Sequence, residues 1–480
     1  MPYVLRNAWE PARFWFMTIR GGAWMKEQLP DGSSRQPMDK VGHAIVVGGS
    51  IAGLITARIL ADHFGQVTVL ERDEIEDRPG LHKSVPQGNH LHALLHGGQQ
   101  VLSALYPGFT DDLRSRGANR VAVGRDVVWH LPDGKAYTAT GSVRAPFDVG
   151  LEGYCASRGL IEYVIRRRTQ EVPQIRIETG RTVCELISLN GRICGVRCDD
   201  GQRVQADLVV NASGRTSRAS QWLAAAGLLK PRKTTIGVDT AYSTANFRVP
   251  DWYEGEPIVF ITGPAPTFTR RCYLIRIENG SLLVSLIGRF GDYPPTDREG
   301  FVAFARELHS DLAWRIIRDA EQLSPIAHYR FPASVQNHYE ELSSAERFIA
   351  IGDALCTFNP IHAQGMSAAA RQASLLGEIL SEHLSRKRGL DGLAKTFYFR
   401  AGQFNSTPWN LAAAFDFAFP QTRGDRPPDA EERARYFAVL DLLQTVDPEI
   451  RRLMTEVFHL VKPLSALMEE PLSSRIRARM

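Results

Sequence analysis

The 480-residue chain carries 57 Lys and Arg against 53 Asp and Glu, a net charge of +4, and no basic run interleaved with aromatics, which argues against a nucleic-acid partner. Its length exceeds one typical hydrophobic core, so about two or three packed units are expected. No apolar stretch reaches the roughly 18 residues of a membrane-spanning helix; the nearest, Leu411 to Phe419, is interrupted by Asp416.

Residues 1–41 hold aromatics and arginines but no clean apolar core with a cleavage site. They read as an N-terminal extension rather than a signal peptide, with Met38 as an alternative start. A strand from His43 to Val47 then ends in Gly48-Gly49-Ser50-Ile51-Ala52-Gly53, and Ile51, Leu54, Ile55 and Ile59 fall on one face of a following helix. A second strand, Val67 to Leu70, stops at Glu71, 18 residues beyond Gly53, with Arg72 next in the chain. Strand, glycine turn, helix, strand and acidic end in this order make a dinucleotide-binding βαβ unit. The helix N-terminus would take a pyrophosphate and Glu71 a ribose hydroxyl. Ser50 stands where the usual pattern has its middle glycine.

Lys83 to Leu95 follows as a loop carrying Gln87, His90 and His92. With no third ligand at a sensible spacing, the two histidines read as loop-positioning groups and no metal is expected. Six cysteines are scattered without Cys-x-x-Cys spacing, which suits thiols in a reducing cytoplasm. Gly191 to Val204 alternates as one strand with Cys194 and Cys198 on one face. Ala206 to Asn211 is an apolar strand that breaks at Ala212-Ser213-Gly214 before a helix. Arg120 to Asp148 and Thr235 to Gly288 alternate apolar and polar positions as sheet strands do. Within the second stretch, Arg271 to Ile277 and Ser281 to Ile287 form a hairpin turning at Glu278-Asn279-Gly280. Gly300 to Ser310 and Leu312 to Gln322 read as helices, and the chain from Phe397 on is mostly helical, broken at Pro420 to Pro428.

The most informative stretch runs from Gly352 to Met366. It follows a buried strand, Phe348 to Ile351, and leads into a helix, Ser367 to Leu384. Asp353 at the strand end can accept hydrogen bonds from a sugar-chain hydroxyl. The free N–H groups after Pro360 can face an electron-poor ring edge that becomes anionic on reduction. That combination suits a flavin. His362, beside Pro360, either touches substrate or faces solvent; the sequence leaves both open.

With these pieces in order, the chain resembles the FAD-dependent monooxygenases of the aromatic-hydroxylase fold. Within them it is similar to bacterial epoxidases and hydroxylases of polyketide-like and terpenoid-like substrates. The resemblance rests on Lys83-Ser84-Val85-Pro86-Gln87-Gly88-Asn89-His90-Leu91-His92, on Cys155-Ala156-Ser157-Arg158-Gly159-Leu160 opening a helix, and on Asn359-Pro360 through Gln364-Gly365-Met366-Ser367. It covers roughly Gly42 to the C-terminus. It implies that Gly48, Gly49, Ser50, Gly53, Glu71 and Arg72 hold the ADP half of FAD. Arg158 would meet the diphosphate or ribityl region, and Asp353 the ribityl chain. Pro360, Gly365 and Met366 would meet the flavin's pyrimidine edge, with Gln87 and His90 in a loop near the cofactor. His362 and His90 are the implied catalytic candidates. Ser213-Gly214 stands where the family has Asp-Gly, a segment linked there to both FAD and NADPH, so the resemblance implies that Ser213 and Gly214 bind cofactor. Cys356 stands where many members have histidine, and Ala363 where they have glycine.

The expected fold is α/β. A doubly wound, Rossmann-like FAD domain spans 42–120, 150–235 and 330–390. An inserted mixed or antiparallel substrate sheet spans 121–149 and 236–329, and a helical region spans 391–480. The resemblance implies a C4a-hydroperoxide that delivers one oxygen atom of O2 to a small apolar substrate, by epoxidation or hydroxylation. Electrons would come from NADPH or NADH, directly or through a separate flavin reductase. Rival readings on the same fold are a reductase of isoprenoid-like double bonds, a halogenase, whose Trp-x-Trp-x-Ile-Pro signature is absent, and non-redox use of FAD.

Overall fold

A computed structural model describes residues 40–480, apart from 81, 131, 133–135, 139–140, 143–148, 264, 343–344 and 445. The expected N-terminal extension and part of the 121–149 strand region therefore lie outside the described residues.

A five-stranded parallel sheet forms the base, in the order Phe348–Ala350, Leu208–Asn211, Val41–Val47, Phe64–Leu70, Ile175–Glu178. Its central strands are apolar at consecutive positions, Ala44-Ile45-Val46 and Leu208-Val209-Val210, and these residues are fully buried. That is the pattern of strands covered on both faces. The helix Ile51–Leu60 returns the chain between the first two strands and packs against the helices Arg158–Gln170 and Gly365–Ser385. A three-stranded antiparallel sheet, Val183–Leu189, Arg192–Cys198 and Arg203–Gln205, shares the base sheet's core through Val183, Leu186, Ile193 and Val196. This corrects the single strand expected over Gly191 to Val204. The chain reverses at Asp199-Asp200-Gly201, where Gly201 adopts φ +84°, a left-handed turn conformation that favours glycine. All six cysteines are free.

A nine-stranded mixed sheet forms the second layer. Its order is Cys356–Thr357, Ala327–His338, Arg232–Arg248, Ser281–Arg289, Arg271–Ile277, Ile258–Ile261, Val127–His130, Ala136–Thr138, Gly141–Ser142. All pairings are antiparallel except Ile258–Ile261 with Val127–His130. Residues 235 and 330, where the sequence places domain borders, fall inside two of its long strands. The expected hairpin is present, with Asn279 and Gly280 both at positive φ. Side chains alternate between two cores. Leu282, Val284 and Leu286 join Phe301 and Ile316 of the helices Arg298–Arg306 and Leu312–Ile317. Tyr242, Tyr273, Ile287, Tyr329 and Phe331 point the other way, toward Ile361, Ala413 and Phe417.

The C-terminal region is helical, with Leu393–Asp416, Ala430–Leu443, Pro448–Phe458 and Leu472–Arg477. Among the described residues no helix is long and apolar enough to cross a membrane.

Candidate flavin site and substrate face

The glycine turn after Val41–Val47 is stripped of side chains because there is no room for them. Gly48 sits at φ +107°, and a Cβ there would lie 2.6 Å from the Ala212 carbonyl oxygen. A Cβ on Gly53 would lie 1.8 Å from the Gly48 carbonyl oxygen. The following helix has no acidic residue in its first turn, and Ser50 at its N-cap makes no capping bond. Its first N–H groups are thus left for an anion, as a dinucleotide's pyrophosphate requires. Glu71 is buried at the end of the second strand, where its Oε2 accepts from Gly49 N at 2.6 Å and its Oε1 from Asp73 N at 2.9 Å. Arg72 is exposed.

Ser50 has a second task. Its Oγ donates to Glu162 Oε2 at 2.6 Å and accepts from Arg158 Nη2 at 2.8 Å, while Arg158 and Glu162 approach each other at 3.3 Å. The helix carrying both is capped by Ser157, whose Oγ accepts from Leu160 N. His82 closes the cluster on Glu162 Oε1, and both side chains are buried. Burial opposes the charge on Glu162, but His82, Arg158 and Ser50 hold its carboxyl well below the usual carboxylate range. Burial likewise works against the charge of His82, and Glu162 outweighs it, so its value is raised. Glu162 and His82 were not singled out from sequence; the four-residue spacing of Arg158 and Glu162 on one helix was the available signal. Glu71, Asp73 and His82 bring their ligand atoms within 4.8 Å of one another. Each is held by a backbone N–H or by Glu162.

Asp353 lies in the tight turn after Phe348–Ala350, set by Gly352 at φ +65°, whose N–H donates to Gln372 Oε1 at 2.8 Å. Asp353 Oδ1 comes within 3.9 Å of where a Cβ on Gly365 would stand, at the start of the long helix Gly365–Ser385. Burial raises the Asp353 carboxyl, opposed by the charges of Arg215 and Arg158. A cleft of about 100 Å³ opens beside it, lined among others by Arg215, Ser217, Lys233, Asn337 and Thr357. The Ser213-Gly214 turn is bound to itself: Ser213 Oγ donates to Asn211 Oδ1 at 2.6 Å, and Gly214 takes φ +75°. The next residue, Arg215, reaches out over the rings of Tyr329 and Phe331, 4.8 and 5.6 Å from their centroids. Pro360 is exposed, Met366 is buried, and Ala363 holds the left-handed conformation, φ +55°, which glycine adopts at least cost.

Gln87 is half-buried in the turn Pro86–Asn89, and its carbonyl accepts from His90 N at 3.0 Å. His90 is buried against Tyr242 and Tyr329, at ring separations of 5.8 and 5.6 Å, with Nδ1 paired to Thr244 Oγ1 at 2.7 Å. Burial, with His328 nearby, pushes it down to about 4, so it is neutral near pH 7. His92 Nδ1 pairs with the His90 carbonyl instead. His362 is buried, not solvent-facing. Burial lowers its value too, with Asp416 opposing.

Asp416 is the residue that interrupted the apolar run Leu411 to Phe419, and the structure explains its presence. Its Oδ1 accepts from Arg289 Nη2 at 2.7 Å and from Asn359 Nδ2 at 2.8 Å, and the Arg289 and Asp416 side chains are each 1% exposed. A lone charge inside an apolar helix was the sequence signal for this pair. The loop Asn359–His362 is thereby bound to the base of the second sheet and to the C-terminal helices together.

The residues present fit FAD. A bare glycine turn with free helix N–H groups, a buried acid after the next strand and a second acid in the turn after Phe348–Ala350 lie together at the carboxyl ends of the parallel strands. No family model matches the chain. It is 30% identical over 389 residues to Protein Rv3254 of Mycobacterium tuberculosis, spanning 78% of this chain and 80% of that one. It is 25% identical over 362 residues to a kynurenine 3-monooxygenase of Salinispora tropica, 72% and 74% covered. Its fold superimposes on p-nitrophenol 4-monooxygenase PnpA from Pseudomonas putida with a TM-score of 0.60 at 16% identity, over 89% of this chain and 100% of that one. The chain thus belongs to the family of Rv3254 and has the fold of the FAD-dependent monooxygenases of the aromatic-hydroxylase type.

Proposed function

We propose that the protein uses FAD to insert one oxygen atom from O2 into a small apolar molecule, a specialised metabolite, by epoxidation or hydroxylation. The observation that supports this best is the apolar face of the second sheet, Tyr242, Tyr273, Ile287, Tyr329 and Phe331, closing on the loop Asn359–His362. When bound, FAD supplies the electrons and the activation of O2. The chain's own residues do the rest. The turn at Gly48–Gly53, with Glu71, Arg158 and Asp353, holds and orients the cofactor. The aromatic face excludes water and presses the substrate toward the loop. His90 and His362 stay neutral, so neither places a cation against an apolar substrate. Electrons come from NADPH or NADH, directly or through a separate reductase, and Arg215 and Lys233, which line the Asp353 cleft, suit an anionic donor.

The test is to reduce the FAD-loaded protein without oxygen and mix it rapidly with oxygenated buffer. An absorbing species distinct from both reduced and oxidised flavin is expected before reoxidation completes. Direct return to oxidised flavin, with and without candidate olefins and aromatics, would move the reading to a reductase or to non-redox use.

A further inference from the structure

The face just described carries two polar places: His90 with Thr244 and Ser285, which bond one another, and a second set around Tyr242 and Asp416. Tyr242, Ile287 and Arg271 stand opposite one another on three adjacent strands, in the pairings Tyr242↔Ile287 and Arg271↔Ile287, so they form one cross-strand row on one face of the sheet. Arg289 lies two residues beyond Ile287 on the same face and meets Asp416 from the helix above. His362 approaches the same carboxylate from the flavin loop, with Nε2 3.8 Å from Asp416 Oδ1, beyond hydrogen-bond reach.

Around this point, buried polar atoms are left without partners among the described residues: the Tyr242 hydroxyl, His362 Nε2, Asp416 Oδ2, and the Nε atoms of Arg271 and Arg289. Tyr242, His362 and Asp416 are 5%, 6% and 1% exposed. A buried polar group without a partner is costly, and so many at one point mark a place made for something else. The chemistry of the set narrows what that is. Asp416 is held ionised by the charge of Arg289, which offsets the effect of its burial, so its free oxygen can only accept. A ketone, an ether or a carboxylate offers it no donor. Tyr242 can donate or accept, and neutral His362 can do either according to tautomer. A hydroxyl, which donates once and accepts as well, satisfies both kinds of partner.

We infer that Tyr242, His362 and Asp416 form a hydroxyl-reading subsite in the largely apolar substrate face, so that the preferred ligand is an apolar skeleton bearing an alcohol or phenol group. This rests on the substrate face belonging to the proposed oxygenase, but its test does not depend on turnover. Arg289 and Asn359 are positioning residues: they hold the carboxylate and leave its second oxygen open.

The experiment is calorimetric titration of the FAD-supplemented protein with 1-naphthol and with naphthalene, a pair that differs by one hydroxyl. The parent protein should bind naphthol tighter by about tenfold or more, the factor carried by one buried hydrogen bond to a charged group. Tyr242→Phe and Asp416→Asn should each remove most of that preference while naphthalene affinity stays the same. Asp416→Asn also disturbs the Arg289 pair, so Tyr242→Phe, which breaks no bond within the protein, is the decisive variant. Equal affinity for the two ligands in the parent, or a naphthol preference that Tyr242→Phe leaves intact, overturns the inference. A protein that prefers naphthol but shows no transient flavin species with oxygen keeps the subsite and loses the oxygenase reading.

Discussion

Replacing Ser50 with alanine removes one hydroxyl from the turn that faces the cofactor, at the position where a glycine is usual. The Ser50 hydroxyl makes two charge-assisted hydrogen bonds, to Glu162 at 2.6 Å and from Arg158 at 2.8 Å. The Arg158 and Glu162 side chains are only 10% and 3% exposed, so solvent does not screen the exchange. Hydrogen bonds to charged groups contribute about 1.5–3 kcal/mol each. The direct Arg158–Glu162 contact at 3.3 Å survives the change, so the net loss should be nearer one such bond than two, about 2 kcal/mol. No capping effect confounds the comparison, because Ser50 does not cap its helix. If that loss falls on the geometry of Arg158 in the cofactor site, FAD binding weakens by about 30-fold. Fluorescence titration of apoprotein with FAD measures it, and Ser50→Gly should behave in the same way. A Ser50→Ala protein that binds FAD as tightly as the parent, or a Ser50→Gly protein that binds it tighter, would refute the reasoning and make Ser50 a tolerated deviation from the common pattern.

Asp353→Ala should emerge from purification largely colourless, because a buried acceptor for the cofactor's sugar chain is gone; a fully yellow protein, by flavin-to-protein absorbance, would place the flavin elsewhere. Asp416→Ala leaves the Arg289 guanidinium buried without its partner and should cost about 3–5 kcal/mol, read by equilibrium denaturation, with the Arg289→Met/Asp416→Leu double variant recovering most of it. A loss below about 1 kcal/mol would mean that the pair is solvated. The pH dependence has a definite sign. The His82 value is raised, so its pairing with Glu162 contributes fully below 6.5, its ordinary value, and fades as pH rises through the folded value. On the acid side, the Glu162 contribution is present above 4.5 and fades as pH falls through its depressed value. The parent should therefore lose more thermal stability between neutral and mildly alkaline pH than His82→Gln does; parallel curves would remove His82 from the cluster.

The parts of the fold that sequence reading captured are those governed by local rules. The unit from Val41 to Glu71 follows from apolar periodicity and from the steric need for Gly48 and Gly53. The hairpin at Glu278-Asn279-Gly280 follows from turn chemistry. Where alternation continued through Asp199-Asp200-Gly201, periodicity masked a turn that composition announced. The site was legible along the backbone and illegible across it. Arg289 and Asp416 are 127 residues apart in the chain, and only sheet register and helix packing bring them together. Tyr242, Ile287 and Arg271 line up through pairings of three strands, which no window of sequence contains. The burial of His362 likewise depends on the helices that follow it, not on its own neighbours.

The ten residues from Phe348 to Thr357 give a strand to each sheet. Phe348–Ala350 extends the parallel one beside Leu208–Asn211, and Cys356–Thr357 pairs with Ala327–His338 in the mixed one. Asp353 sits in the short span between, with no slack on either side. Any sliding of one layer over the other must pass through that span, so cofactor grip and the alignment of the two layers are mechanically one variable. Filling the Asp353 site should slow amide exchange in Ala327–His338 as much as in the nucleotide-binding strands, and a ligand seated against the mixed sheet should in turn tighten the hold on the flavin.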